Sequence, residues 1–159
     1  MDLGLKGKRI LITASARGLG RSMALALARE GAHVAFVART ASNIDDLREM
    51  LGGHDNSHFG LSLDLEPEGA PQHLISALES AGFGQLDGIV HNLGGTLDII
   101  DPFCPAADWR RVWRLNLEVA IELNLHFLPG MMERNWGRIV HVSSISSLEN
   151  HGPVPYCSV

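Results

Sequence analysis

Apolar positions along the chain fall into short runs separated by longer stretches in which they recur every three or four residues. The short runs read as β-strands over 9–12, 33–37, 59–63, 86–91 and 138–142. Between the first two, the spacing predicts a helix over 20–30, with Leu19, Met23 and Leu27 on one face and Gly31 where a left-handed C-terminal cap belongs. A second helix is expected after Ser42, which can N-cap it. Ile44, Leu47 and Leu51 turn inward there, and Gly52 and Gly53 end it. A third is expected over 67–81 and a longer fourth over 108–127. Strands alternating with helices along the whole length imply βαβ units, and hence a parallel sheet covered on both faces. No repeat, low-complexity tract or linker divides the chain. The expected fold is one α/β domain over 1–159, a Rossmann-type doubly wound parallel sheet of about five strands.

Composition narrows the partners. The 159 residues are 45% hydrophobic and 19% charged, which is too apolar for a disordered chain. Thirteen Lys and Arg against eighteen Asp and Glu leave a net charge of -5 with no basic run, so nucleic acid is not an expected partner. There is no apolar stretch of about 18 residues to cross a bilayer. Cys104 and Cys157 make no disulfide framework and, with no export signal, read as free thiols in a cytoplasmic protein. His33, His54, His58, His73, His126, His141 and His151 show no ligand spacing, so no metal is expected.

The chemistry concentrates in a few turns. Thr13-Ala14-Ser15-Ala16-Arg17-Gly18-Leu19-Gly20 follows the first strand and opens the first helix. Glycines in such a turn let backbone N–H groups approach a pyrophosphate, which the helix dipole then stabilises. A tight connection without a ligand is the bland alternative. The second strand ends Val37-Ala38-Arg39-Thr40, without the carboxylate that would hold the ribose hydroxyls of NAD. Arg39, joined by Arg17, instead offers permanently charged forks suited to a 2′-phosphate, although either arginine alone is equally well read as solvated surface. Asn116 lies in a stripe with Trp109, Val112, Trp113 and Ala120, where a carboxamide must find partners or cost stability. It is either a satisfied structural residue or part of a site.

The T-(G)-x-x-x-G-x-G spacing of the first turn resembles the classical short-chain dehydrogenase/reductase family, and 3-oxoacyl carrier-protein reductases within it. The resemblance extends along essentially the whole chain. His91-Asn92-Leu93-Gly94 stands at the family's N-N-A-G motif and Asn116, in Arg114-Leu115-Asn116-Leu117, at its helix asparagine. Pro129-Gly130-Met131-Met132 and 136–140 resemble its approach to the fifth strand. Ser143-Ser144 and Tyr156 match its active-site serine and tyrosine. The resemblance implies an NADP-dependent oxidoreductase, with NAD the lesser candidate, moving a hydride between the nicotinamide and a small carbonyl or secondary alcohol. The implied catalytic residues are Asn116, Ser144 and Tyr156, with Ser143 the alternative serine by one register step. The implied cofactor residues are Thr13, Ser15, Arg17, Gly18, Leu19, Gly20, Arg39, Asp64, Leu65, Asn92 and Gly94, with Asp64 on the adenine or simply a turn carboxylate. A homo-oligomer built on the helix of Asn116 is implied for the complete protein.

Three departures shape the expectations. Ala14 replaces the first glycine of the loop, adding a methyl that is tolerable if the residue has negative φ and that otherwise weakens cofactor binding. His91 replaces an asparagine, removing its amide hydrogen bonds. The family motif Y-x-x-x-K begins at Tyr156 and Val159 stands one residue before its lysine, so 1–159 reads as truncated within the tyrosine-bearing helix. By themselves these residues are expected to be catalytically inactive and poorly stable. A non-catalytic dinucleotide-binding protein is the alternative function.

Overall fold

The computed structural model describes residues 2–53, 57–149 and 152–159; His54 and His151 lie outside them. Five strands form one parallel sheet: β1 (Arg9–Thr13), β2 (His33–Ala38), β3 (Phe59–Ser62), β4 (Gly88–His91) and β5 (Arg138–His141), in the order β3-β2-β1-β4-β5. Their register sets Ile12 beside Phe36 and Val90, and His91 beside His141. Alternate residues of each central strand feed opposite cores. Leu11, Ala35, Val37 and Ile89 pack with α3 (Ala70–Ser80) and α5 (Val119–Glu133) on one face. Ile10, Ile12, Val34, Phe36 and Val90 pack with α1 (Gly18–Arg29) and α2 (Ala41–Met50) on the other. This is the doubly wound α/β fold expected. The chain runs outward from β1 through β2 to β3, then returns to place β4 on the other side of β1. A crevice therefore opens beyond the carboxyl ends of β1 and β4, where such sheets bind ligands.

Helix ends follow the glycines. Gly31 (φ +80°) closes α1, with Ala32 N–H bonded to Leu27 O; Gly52 and Gly53 close α2 in the same way. Other boundaries differ from expectation. Helix α1 begins at Gly18, and Leu19 faces out at 58% exposure while Gly20 and Ala24 are buried. The helix presses so close to the first turn that a Cβ at Gly20 would lie 2.6 Å from Ala14 O, so the inward face accepts only small residues. Helix α2 starts at Ala41, with Thr40 rather than Ser42 at the N-cap and no side-chain cap. The fourth helix is longer than its pattern: α4 (Ala106–Trp113), a π-helical turn (Arg114–Glu118) and α5 run unbroken to Glu133, through Pro129. A mid-helix proline costs about 3 kcal/mol, and burial of Leu123, Phe127 and Met131 around it outweighs that preference. Beyond β5, a 3₁₀ turn (Ile145–Ser147) and a short helix α6 (Val154–Cys157) complete the described chain.

Ala14 does not meet the condition under which its methyl is tolerated: its φ is +51°, in the left-handed region. A side chain there costs roughly 1–2 kcal/mol. The position is held from outside, because the Asn92 side-chain amide donates to Ala14 O at 3.0 Å.

Candidate functional site

Two cavities share a wall of Leu93, Gly94 and Leu115 at the carboxyl end of the sheet. The larger, about 590 Å³, reaches from Ala14 and Arg17 past Arg39 to Asp64 and Leu65. The smaller, about 160 Å³, gathers Asn116, Ser144 and Tyr156 with His91 and His141.

The floor between them is laced together by short polar side chains. Thr13 is fully buried, and its hydroxyl accepts from the backbone N–H of both Asn92 and Leu93 at 3.0 Å. Ser15 is also fully buried, its hydroxyl donating to Ile12 O at 3.0 Å. These two hold the β1 and β4 turns in place and have no hydroxyl exposed to a ligand. Gly18, with φ +52°, and exposed Leu19 stand in the first turn of α1. That turn has no side-chain cap and no acidic residue, so its N–H groups remain available to an anion.

At the far end of the larger cavity, Arg17 and Arg39 make no side-chain hydrogen bond or ion pair among the described residues. The acids differ. Asp64 accepts from Glu66 N–H at 3.0 Å, as a turn carboxylate does, and Glu66 is paired with Arg111 at 2.6 Å. Leu65 lines the cavity but is 3% exposed and belongs to the core beneath it. Asp64 and Asp98 also line the cavity without an ion pair among the described residues, so unpaired charge of both signs faces it, the cationic part being Arg17 and Arg39. Open space at Gly18, the bare N-terminus of α1 and two unpartnered guanidinium groups fit a phosphorylated dinucleotide.

Asn116 sits in the π-helical turn, a distortion frequent at functional sites. Its Oδ1 accepts from Gly95 N–H at 2.9 Å, while Nδ2 donates to Gly95 O at 2.9 Å and Val112 O at 2.8 Å. Both donors are used and one acceptor position on Oδ1 is left. A Cβ at Gly94 would lie 2.9 Å from that oxygen, so glycine there permits the approach. Ser144 caps the 3₁₀ turn by accepting from Ser146 N–H at 3.2 Å, which leaves its own O–H free to donate. Ser143 lines the same cavity but is exposed, whereas Ser144 is half-buried. Tyr156 reaches the cavity from α6.

Two arrangements had no counterpart in the sequence reading. His91 is 4% exposed; its Nε2 bonds Asn124 Oδ1 at 2.8 Å and its ring stacks on His141, centroids 4.6 Å apart. The histidine thus keeps a polar partner where loss of one was expected. Burial holds its pKa below the ordinary value, reinforced by His141 and opposed by the Asn124 bond. The signal available was two histidines ending neighbouring parallel strands in register. The other is a network in which Arg114 meets Glu118, Glu122 and the carbonyl of Glu66. The Arg114 hydrogen bond holds the Glu122 carboxyl below its usual range, with burial opposing.

Among the described residues no group of three or more His, Cys, Asp or Glu is placed to hold a metal ion, and no helix is long and apolar enough to cross a membrane.

Comparison with known proteins places this geometry. The profile of the family described as short chain dehydrogenase matches residues 8–158. L-xylulose reductase of Mesocricetus auratus is 34% identical over 164 residues, covering 99% of this chain and 62% of that protein. The crystal structure of L-sorbose reductase from Gluconobacter frateurii, complexed with NADPH and L-sorbose, superposes with a TM-score of 0.85 at 28% identity, covering 98% of this chain and 60% of that one. An NADH-dependent reductase complexed with NAD superposes at 0.82 with 27% identity, covering 99% and 69%. The chain thus spans about three fifths of the length of the first two.

Proposed function

As the chain belongs to the short-chain dehydrogenase family, we propose that the protein is an NADP-dependent oxidoreductase acting on a small carbonyl compound or secondary alcohol. The observation that carries the proposal is the meeting of Asn116, Ser144 and Tyr156 in one cavity that shares a wall with the larger one. When bound, the nicotinamide would give the hydride to the carbonyl in reduction and take it from the alcohol in oxidation. The chain's own residues supply orientation and the proton. The free O–H of Ser144 polarises the substrate carbonyl, and Tyr156 O–H donates the proton in reduction and accepts it in oxidation. Asn116 clamps Gly95 and keeps one acceptor position for a bridging water.

The first turn of α1 holds the pyrophosphate through its N–H groups, with Gly18 leaving open space there, Leu19 adding its backbone N–H, and Gly20 letting the helix pack against the Ala14 turn. Arg17 and Arg39 bind the 2′-phosphate, each charge-assisted contact contributing about 1.5–3 kcal/mol. Relatives complexed with NADPH and with NAD both exist, so it is the unpaired arginines that favour NADP here. Cys104 and Cys157 are free thiols, which suits the cytoplasm. Trp113, Leu117, Ile121, Leu125, Leu128 and Met132 expose apolar side chains on α4 through α5, a surface suited to a second copy of the chain. Titration of NADPH and NADH against the protein and its Arg39→Asp variant tests the cofactor assignment. A preference for NADPH that R39D abolishes is expected; equal affinities overturn it.

A further inference from the structure

We propose that Arg114 is a positioning residue for the adenosine end of the dinucleotide, acting through the backbone of Glu66; the role rests on the larger cavity being the dinucleotide site. Residues 64–66 leave the end of β3 without regular structure and form the cavity wall with Asp64 and Leu65. The last strand-like backbone bond before them is Leu63 N–H to Ala38 O at 2.9 Å. Their outer end is fixed by side chains of the fourth helix. Arg114 Nε donates to Glu66 O at 3.3 Å and Arg111 Nε to the Glu66 carboxylate at 2.6 Å.

Arg114 is suited to carry that bond rigidly. Its side chain is 12% exposed, and its Nη1 bonds Glu122 and lies 3.6 Å from Glu118. Glu122 is itself held by Gln72 of α3 at 2.8 Å. The guanidinium therefore joins α3, α5 and the 64–66 wall at one point. A half-buried ion pair of this kind gives little net stability, because solvent screening and partial desolvation offset its attraction. Geometry is its clearer contribution. With the carbonyl of Glu66 tied, the Glu66 peptide and the Asp64 carboxylate that accepts from it are held in place before the ligand arrives, beside Leu65, which the core already fixes; untied, that part of the wall has to be ordered on binding.

Arg114→Lys separates positioning from stability. Lysine keeps a charge beside Glu118 and Glu122 but has no second nitrogen to reach Glu66 O. Dissociation constants for 5′-AMP, adenosine 2′,5′-bisphosphate and NADPH are measured by calorimetry on the full-length protein, alongside its thermal midpoint. R114K is expected to weaken all three about tenfold, the effect of ordering one residue on binding. Its midpoint should shift by no more than about 2 °C, and in turnover KM for NADPH should rise with kcat unchanged. Binding within twofold of the unsubstituted protein overturns the role, as does weakening that only accompanies loss of the folded state. If R114K does not fold, Glu122→Gln carries the test, because it removes the charge that holds Arg114 and lies outside the cavity lining: a weakening of about threefold is expected and none overturns it. Failure of the unsubstituted protein to bind 5′-AMP or the bisphosphate would instead overturn the cavity's assignment, and this role with it.

Discussion

Ala14→Gly should stabilise the protein, against the usual effect of placing glycine in a turn. Ala14 holds φ at +51°, where an L side chain is penalised by roughly 1–2 kcal/mol. Glycine removes that penalty. It also loosens the unfolded chain, which takes back about 0.4–1 kcal/mol. The Asn92 bond to the Ala14 carbonyl is unaffected, because it uses the backbone oxygen. The net gain therefore lies between about 0 and about 1.6 kcal/mol with a centre of about 0.8, or an upward shift of roughly 2–3 °C at the centre in the thermal midpoint of a domain of this size. Ala16 is the control. It is 2% exposed in the α1/α2 core and has no positive φ, so Ala16→Gly should destabilise by about 0.5–1 kcal/mol. Scanning calorimetry of both variants gives the answer. A lower midpoint for A14G, or equal shifts for the two, would refute the argument from backbone strain.

Other outcomes follow from the site. Ser144→Ala should reduce turnover more than Ser143→Ala while leaving NADPH affinity nearly unchanged, as steady-state kinetics and a cofactor titration will show; the reverse ranking moves the serine by one register. Asn116→Ala removes both bonds to Gly95 and should destabilise by about 2–3 kcal/mol in urea unfolding. His91 has its pKa held below the ordinary 6.5, so the unfolded chain takes up its proton first. Its contribution to stability is present above 6.5 and lost as pH falls below it toward the folded-state value. Thermal melts from about pH 8 to about pH 5 should show that loss, and a smaller one in His91→Asn.

The elements that were legible are those in which local pattern and tertiary demand agree. The alternation of Ile10, Leu11 and Ile12 into opposite cores and the glycines at 31, 52 and 53 announce themselves, because burial period and backbone chirality are local properties. The longest helix was misjudged at Pro129, whose intrinsic preference is overridden by contacts with residues far away in sequence. Leu19 was placed inward by its spacing, yet the close approach at Gly20 leaves no room for it. The φ of Ala14 was not legible for a related reason: the bond that holds its carbonyl comes from the Asn92 amide, 78 residues away. In the site, Arg39 and Asn116 were candidates by charge and by their place in an apolar stripe, whereas Ser144 and Tyr156 were candidates only through the family resemblance. Thr13 and Ser15 were candidates too, but only coordinates show their hydroxyls turned into the fold. The Arg111–Glu66 and Arg114–Glu66 contacts join residues 45 and 48 apart on amphipathic segments, where charge ordinarily means solvent.

The central claim, that Asn116, Ser144 and Tyr156 surround a reacting carbonyl beside a bound nicotinamide, is tested most directly by Tyr156→Phe in the full-length protein. The ring fills the same space and only the hydroxyl is lost. Nicotinamide oxidation in a single turnover with a panel of small ketones, paired with NADPH titration, reads chemistry and binding separately. The account predicts NADPH affinity within about twofold and a rate lower by about 10²–10⁴. Turnover of Y156F at the unsubstituted rate would contradict it.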